Sequence, residues 1–166
     1  MAIEIERRFL VQGEKWRKLA QKPQYLRQGY LATSAIDWTV RIRIHEKKKS
    51  WVTLKSPAKG ISMNEFEYPI PLEDAETIWS LLPHTVIKTR YKLNLNNGDW
   101  VIDCFHKHNS PLVIAEVELA SSDQQIQIPN WCYQEVTSNK ELSNAALALN
   151  PISNWPDGNR HAINLK

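Results

Sequence analysis

Polar and apolar residues alternate with a period of two along most of this chain, the spacing of strands that lay one face on an apolar surface. The alternation predicts strands at Ile3–Val11, Leu26–Ala32, Asp37–Glu46, Ser50–Ser56, Met63–Ile70, Val86–Leu95, Trp100–His106 and Leu112–Ala120. Asn97-Gly98 is a two-residue hairpin signal between two of them. Glu46-Lys47-Lys48-Lys49 reads as a solvated hairpin tip, because charges also protect strand edges. Helical spacing is scarcer. It predicts short helices at Glu14–Ala20 and at Glu73–Leu82, the latter with Ala75, Ile78, Trp79 and Leu82 on one face. Ser122–Ile128 reads as another turn or two, and Leu142–Leu149 as an apolar helix behind the capping-box pair Ser138 and Glu141. Pro151 ends that helix. Residues 150–166, with Pro151, Pro156 and Gly158, read as a loosely ordered tail after a domain spanning 1–149. Eight strands with hairpin connections predict a mainly β (α+β) fold. Its expected form is a closed eight-stranded antiparallel β-barrel with short helices packed outside. The alternative is a two-layer sheet with helices on one side.

The parity of the charges changes this picture. In the first strand Glu4, Glu6, Arg8 and Leu10 share one face, opposite Ile3, Ile5, Phe9 and Val11. Arg41 and Arg43 oppose Val40, Ile42 and Ile44; Lys55 opposes Leu54; Glu65 and Glu67 oppose Phe66 and Tyr68. Lys88, Arg90 and Lys92 share a face, Asp103 sits between Ile102 and Cys104, and Glu116 and Glu118 oppose Val117 and Leu119. One such strand is ordinarily a strand with its polar side in water. Taken together, the apolar faces are the ones the helices need to cover, which turns the charges inward. Unpaired buried charge is very costly, so such an interior is a wet cavity shaped for a ligand. Its basic residues suit a polyanion. Its carboxylates would repel that anion unless hard divalent cations such as Mg²⁺ or Mn²⁺ intervened.

Composition narrows the class further. The 166 residues carry a net charge of +3, too little for the dense basic footprint of a general nucleic-acid binder. No window approaches a membrane span, and the start at Met1-Ala2-Ile3-Glu4 lacks a signal peptide, so a cytoplasmic protein is expected. Cys104 and Cys132 form no disulfide scaffold and lack metal-ligand spacing. The five glycines form neither phosphate-loop pattern. His106 and His108 read as surface residues rather than a zinc pair.

Several segments resemble the CYTH family, the triphosphate tunnel metalloenzymes. Glu4-Ile5-Glu6-Arg7-Arg8-Phe9-Leu10 is similar to the family's ExExK opening. Arg27-Gln28-Gly29-Tyr30-Leu31, Arg41-Ile42-Arg43, Thr53-Leu54-Lys55, Asn64-Glu65-Phe66-Glu67-Tyr68, Lys88-Thr89-Arg90-Tyr91, Asp103 and Glu116-Val117-Glu118 follow in the family's order. The resemblance implies a closed tunnel of eight strands. It implies that Glu4, Glu6, Glu116 and Glu118, with Asp103, hold divalent metal, in this reading two ions of Mg²⁺ or Mn²⁺. It implies that Arg8, Arg41, Arg43, Lys55 and Arg90 grip the triphosphate and that Glu65 and Glu67 line the tunnel wall. Tyr30 and Lys88 match a pair placed near the scissile phosphate in the short bacterial members acting on tripolyphosphate. Two positions depart from the pattern. Arg8 stands where the family usually has lysine. Around residues 135–144 the match is weaker, with Glu141 and Leu142 where short members carry a basic and then an aromatic residue, although Lys140 could reach the tunnel mouth.

The function this implies is metal-dependent hydrolysis of a triphosphate, foremost inorganic tripolyphosphate to pyrophosphate and phosphate. Glu4, Glu6 or Glu65 would serve as base, and Lys88 with Tyr30 would stabilise charge. An adenylate cyclase, a thiamine triphosphatase or an RNA 5′-triphosphatase would share the scaffold, with Trp38, Trp51 and Trp100 as candidate aromatic contacts. A non-catalytic polyphosphate-binding module is the reading from another class. Exposed tryptophans could support a homodimer.

Overall fold

The computed structural model describes residues 2–33, 38–46, 48–57, 59–96 and 98–165. Asp37, Lys47 and Asn97, invoked above at a strand start and in two turns, lie outside these residues, as does the side chain of Ile3. The strands are β1 (Ala2–Val11), β2 (Gln24–Ala32), β3 (Thr39–His45), β4 (Lys49–Lys55), β5 (Ser62–Pro69), β6 (Thr85–Lys92), β7 (Asp99–Phe105), β8 (Val113–Glu118) and β9 (Cys132–Glu135). They hydrogen-bond in the order β5-β4-β3-β2-β6-β7-β8-β1, and a β5–β1 pairing closes the ring. All of these pairings are antiparallel, and closure is made by registers such as Glu4 with Met63 and Ile5 with Ser62. The closed barrel expected from the alternation is therefore present. A ninth strand, β9, was not anticipated; it lies outside the ring and pairs with β1 at Phe9 to Val11.

The α-helices among the described residues are α1 (Leu72–Leu81), α2 (Asn144–Leu149) and α3 (Asp157–Ala162), and the expected helix Glu14–Ala20 is a 3-10 turn at Lys15–Leu19. The first packs on the outer face of β3 and β4 with Ala75 fully buried, as its apolar face dictates. Ser122–Ile128 forms no helix. The expected helix 142–149 is split by a 3-10 turn, Lys140–Leu142, and the caps are Asn139 and Ser143 rather than Ser138. Asn139 Oδ1 accepts from Glu141 N and Ser143 Oγ accepts from Ala146 N, each satisfying an orphan helical donor.

Residues 150–165 differ from the loose tail that the Pro, Gly and Asn content of 150–166 predicts. Ile152, Trp155 and Ile163 are buried with Leu142 and Leu147 against Leu10, Val86, Phe105 and Ile114. The latter four lie on the inward parity of their strands, so this cluster fills one end of the barrel. Trp155 Nε1 donates to Asn150 O at 3.0 Å, the partner a buried indole requires. On the outer face, Phe9, Trp100, Ile102 and Val117 are covered by Trp16 and Trp131. An apolar exterior beneath short coverings leaves the central interior to the charges.

Gly29 is the position where α1 constrains the barrel most tightly. A Cβ added there would lie 2.5 Å from Leu82 Cδ1, just past the helix. Gly29→Ala is expected to destabilise the fold by about 1–2 kcal/mol through overpacking. The denaturation midpoint would read this; an unchanged midpoint would mean that Leu82 moves aside freely.

Candidate active site

The register of the closed sheet projects the charged positions into one interior. Glu6 pairs with Glu118 and Arg8 with Glu116 across β1 and β8, and Arg90 faces Asp103 across β6 and β7. Tyr30 faces Arg41 across β2 and β3, and Lys55 faces Glu65 across β4 and β5. A cavity of about 1040 Å³ opens among Glu6, Arg8, Tyr30, Arg41 and Lys55, and Lys140 and Asn144 line its C-terminal wall.

The most enclosed part is an ionic network on β6 and β7. Lys88 and Asp103 are 1% and 0% exposed, and Lys88 Nζ donates to Asp103 Oδ2 at 2.6 Å. Arg90 donates Nε to Asp103 Oδ1 at 2.7 Å and Nη2 to Asp103 Oδ2 and Glu116 Oε2, both at 2.6 Å. Burial disfavours the Asp103 anion, but Arg90 and Lys88 outweigh it and hold its carboxyl below the usual range. For Lys88 burial wins, and its pKa falls from 10.5 to about 8 despite Asp103. Arg90 stays above its ordinary value because its carboxylate partners overcome its burial. Asp103 is thus engaged by two cations, whereas the resemblance implied a metal ligand.

Across the interior, Lys55 sits between two carboxylates, hydrogen-bonded to Glu4 and 2.8 Å from Glu65 Oε2. Burial and Arg41 work against its charge, and Glu4, Glu65 and Glu6 restore it, so its pKa rises. Arg41 is buried, with its Nε free of any hydrogen-bond partner among the described residues. Burial opposes its charge, while Tyr30 and the carboxylates Glu65, Glu4 and Glu67 sustain it. Arg43 is instead occupied, donating Nη2 to Glu67 Oε1 and Oε2 at 2.9 and 2.7 Å, and burial beside Arg41 lowers its pKa. Thr53, fully buried, adds an Oγ1 donor to Glu67 at 2.8 Å.

The acids repel one another. Burial first, and then Glu116 and Glu4, raise the Glu6 carboxyl from 4.5 to about 7. Glu118 is raised by burial and by Glu4, Asp99 and Glu65. In both, burial is the larger cause and the neighbouring carboxylates add to it. Among the described residues no three acids, histidines or cysteines converge on a metal-sized point, because Lys55 and Arg90 occupy Glu4, Glu65 and Glu116.

Two expected roles look different in three dimensions. Tyr30 and Lys88 do not hydrogen-bond to each other: the Tyr30 hydroxyl accepts from Gln28 Nε2 at 3.2 Å, and Lys88 is held by Asp103 and Asn144. Arg8 points inward, but its Nη1 donates to Leu142 O at 2.8 Å and its Nη2 to Asn139 O and Thr137 O at 3.2 and 3.3 Å. Its guanidinium binds the C-terminal segment. Gln28, Thr53 and Asn144 were missed from sequence. Gln28 and Thr53 share inward parity with known candidates and so had a signal; Asn144, on a helix, had none.

The closed barrel thus carries interleaved cations and carboxylates along one interior. Residues 2–147 match the CYTH domain, and the chain belongs to that family. Triphosphate tunnel enzymes of the family are metal-dependent. The chain is 36% identical over 159 residues to an inorganic triphosphatase of Acetivibrio thermocellus, covering 95% of this chain and 100% of that one. It is 39% identical over 150 residues to an inorganic triphosphatase of Nitrosomonas europaea, covering 88% and 97%. The crystal structure of the inorganic triphosphatase NE1496 superimposes with a TM-score of 0.63 at 36% identity, covering 90% of this chain and 96% of that one. No helix among the described residues is long and apolar enough to cross a membrane.

Proposed function

We propose that this chain hydrolyses inorganic tripolyphosphate to pyrophosphate and phosphate with the help of divalent ions, two Mg²⁺ or Mn²⁺ in the fullest reading. The observation that carries the proposal is the mixed-sign interior, in which Arg41, Lys55, Lys88 and Arg90 share one space with Glu4, Glu6, Glu65 and Glu116. Basic residues alone would bind polyphosphate. Burial, together with repulsion from Glu116 and Glu4, lifts Glu6 to about 7, which fits a carboxylate that takes up cations during the working cycle.

Glu4, Glu6, Glu116 and Glu118 would hold the ions, whose charge would neutralise phosphate oxygens and acidify the attacking water. Lys55 and Arg90 turn from Glu4 and Glu116 to the arriving phosphate oxygens, which releases those carboxylates. Arg41, whose Nε has no partner among the described residues, adds a guanidinium fork shaped for phosphate. A carboxylate among Glu4, Glu6 and Glu65 accepts the proton of water. Lys88 faces the charge that develops at the reacting phosphate, preorganised by Asp103 and Asn144. Tyr30, fixed by Gln28 on the cavity wall, orients that phosphate.

The organic triphosphates of other family readings would need a surface for their extra group. Trp100 is buried under the outer covering and the Trp38 ring packs on Phe66 outside the barrel, so neither serves; Trp51 shares the inward parity of Thr53 and Lys55, but its ring is taken by the Arg43 guanidinium at 5.7 Å. Purified protein is expected to release phosphate from tripolyphosphate only with Mg²⁺ or Mn²⁺, faster than from ATP or thiamine triphosphate. No release under those conditions would refute the proposal, and pyrophosphate formed from ATP would point to a cyclase.

A further inference from the structure

Lys88 lies at the centre of the reading above, yet its position depends on a residue outside the barrel wall. Its ammonium has three N–H donors. One goes to Asp103 Oδ2 and a second to Asn144 Oδ1 at 2.8 Å. Asn144 is the first residue of α2, a helix too short to hold its own place, since isolated helices of one or two turns are marginal. Its placement is set by the chain before it. There Arg8, from β1, spreads its guanidinium across the carbonyls of Thr137, Asn139 and Leu142. Around this clamp, Arg8 N donates to Thr137 Oγ1 at 3.0 Å and Val136 N donates to Arg8 O at 2.8 Å. Ser143 then caps α2, and Asn144 follows at once. A planar fork with five fixed donors can hold several carbonyls in one geometry; a lysine ammonium in its place is a mobile point charge.

We propose that Arg8 and Asn144 are positioning residues acting in series. Arg8 fixes segment 137–142 on the tunnel rim, and that segment delivers the Asn144 amide oxygen to Lys88. Arg8 is thereby a structural clamp and does not grip the substrate. The catalytic part of the inference rests on the triphosphatase reading.

The catalytic test is a double-mutant cycle on tripolyphosphate hydrolysis. Asn144→Leu keeps the side-chain size without an acceptor and is expected to lower kcat about 10-fold, the scale of a hydrogen bond to a charged group. KM should change less than about twofold, as Asn144 acts on Lys88 and not on ground-state binding. Asn144→Asp restores an acceptor oxygen and should recover kcat to within about threefold of wild type. Arg8→Lys should lower kcat as well, and the double variant R8K/N144L should be no slower than N144L alone by more than about twofold, because the two act through one contact. Losses that multiply, a rise in KM alone for Arg8→Lys, or no recovery in Asn144→Asp would overturn the series arrangement. A second arm needs no substrate. In Arg8→Lys, hydrogen exchange should accelerate at the amides of Val136, which donates to Arg8 O itself, and of Glu141, Ala146 and Leu147, whose acceptors lie in or next to the clamped segment. Unchanged exchange there would refute the clamp even if the protein proved to hydrolyse tripolyphosphate. Accelerated exchange in a protein that hydrolyses no triphosphate would uphold the clamp and refute only the functional reading.

Discussion

Lys88→Met is expected to lower kcat for tripolyphosphate by about 100- to 1000-fold, the scale of losing one preorganised group at the developing charge. The fold should survive, since Asp103 keeps the two Arg90 hydrogen bonds and is not left as an unpaired buried anion. A distinct signature separates this role from simple binding. Burial lowers the Lys88 pKa from 10.5 to about 8, so its positive charge fades as pH rises through about 8. Activity that needs the ammonium is present below that pH and lost above it. The free-enzyme profile, kcat/KM against pH, should therefore show an alkaline limb near pH 8. In Lys88→Arg the guanidinium stays charged throughout, and the limb should disappear even where the altered geometry lowers the plateau. Stability should move the other way. A buried ammonium with a depressed pKa costs stability at neutral pH, and the cost is relieved between about pH 8 and 10.5 as the group neutralises. A wild-type kcat/KM that stayed level across pH 8 would remove Lys88 from the chemistry.

The barrel could be read from sequence because its strands are long and strictly alternating. Seven to ten residues of alternation, as in β1, β3 and β4, give each face an unmistakable character. The four-residue strand β9, Cys-Tyr-Gln-Glu, offers too few positions for a period, and its pairing with β1 depends wholly on tertiary context. The C-terminal seventeen residues hid for another reason. Their Pro, Asn and Gly content describes the backbone between anchors, while burial is carried by Ile152, Trp155 and Ile163, three sparse positions with Pro156 and Gly158 between them. At the site, parity sufficed to turn Glu4, Glu6, Arg41, Lys55, Lys88, Arg90 and Glu116 inward. It could not reveal what each one touches. Arg8 and Arg41 have the same residue type and the same inward parity. The first is consumed by three carbonyls of a distant segment, and the second bonds Tyr30 and keeps an Nε with no partner among the described residues. That difference arises from a contact more than a hundred residues away along the chain, beyond the reach of any local pattern.

Glu6→Gln should separate stability from activity in opposite directions. The Glu6 carboxyl binds its proton more tightly folded than unfolded, with its pKa raised from 4.5 to about 7 by burial and by Glu116 and Glu4. For an acid raised in this way, the folded state is favoured at low pH, and that advantage drains away as pH climbs from about 4.5 through about 7. With the side chain 26% exposed and partly screened, the loss amounts to about 2 kcal/mol for the metal-free protein. Glutamine carries no charge, so Glu6→Gln should flatten that slope and leave the metal-free protein more stable than wild type at pH 7.5, readable in urea midpoints at pH 5 and 7.5. Metal-dependent hydrolysis should meanwhile fall by about 100-fold or more, the scale of removing a group that organises charge at the reacting centre. Mn²⁺ added to the wild type should restore its stability at pH 7.5 by mass action and do much less for Glu6→Gln. A core carboxylate kept only for structure would behave in the reverse manner, since its removal would cost stability at every pH and leave the response to Mn²⁺ unchanged. The repulsion among Glu4, Glu6 and Glu116 is then the cost of a site held ready for cations, and Glu6→Gln relieves it by giving up the cations' place.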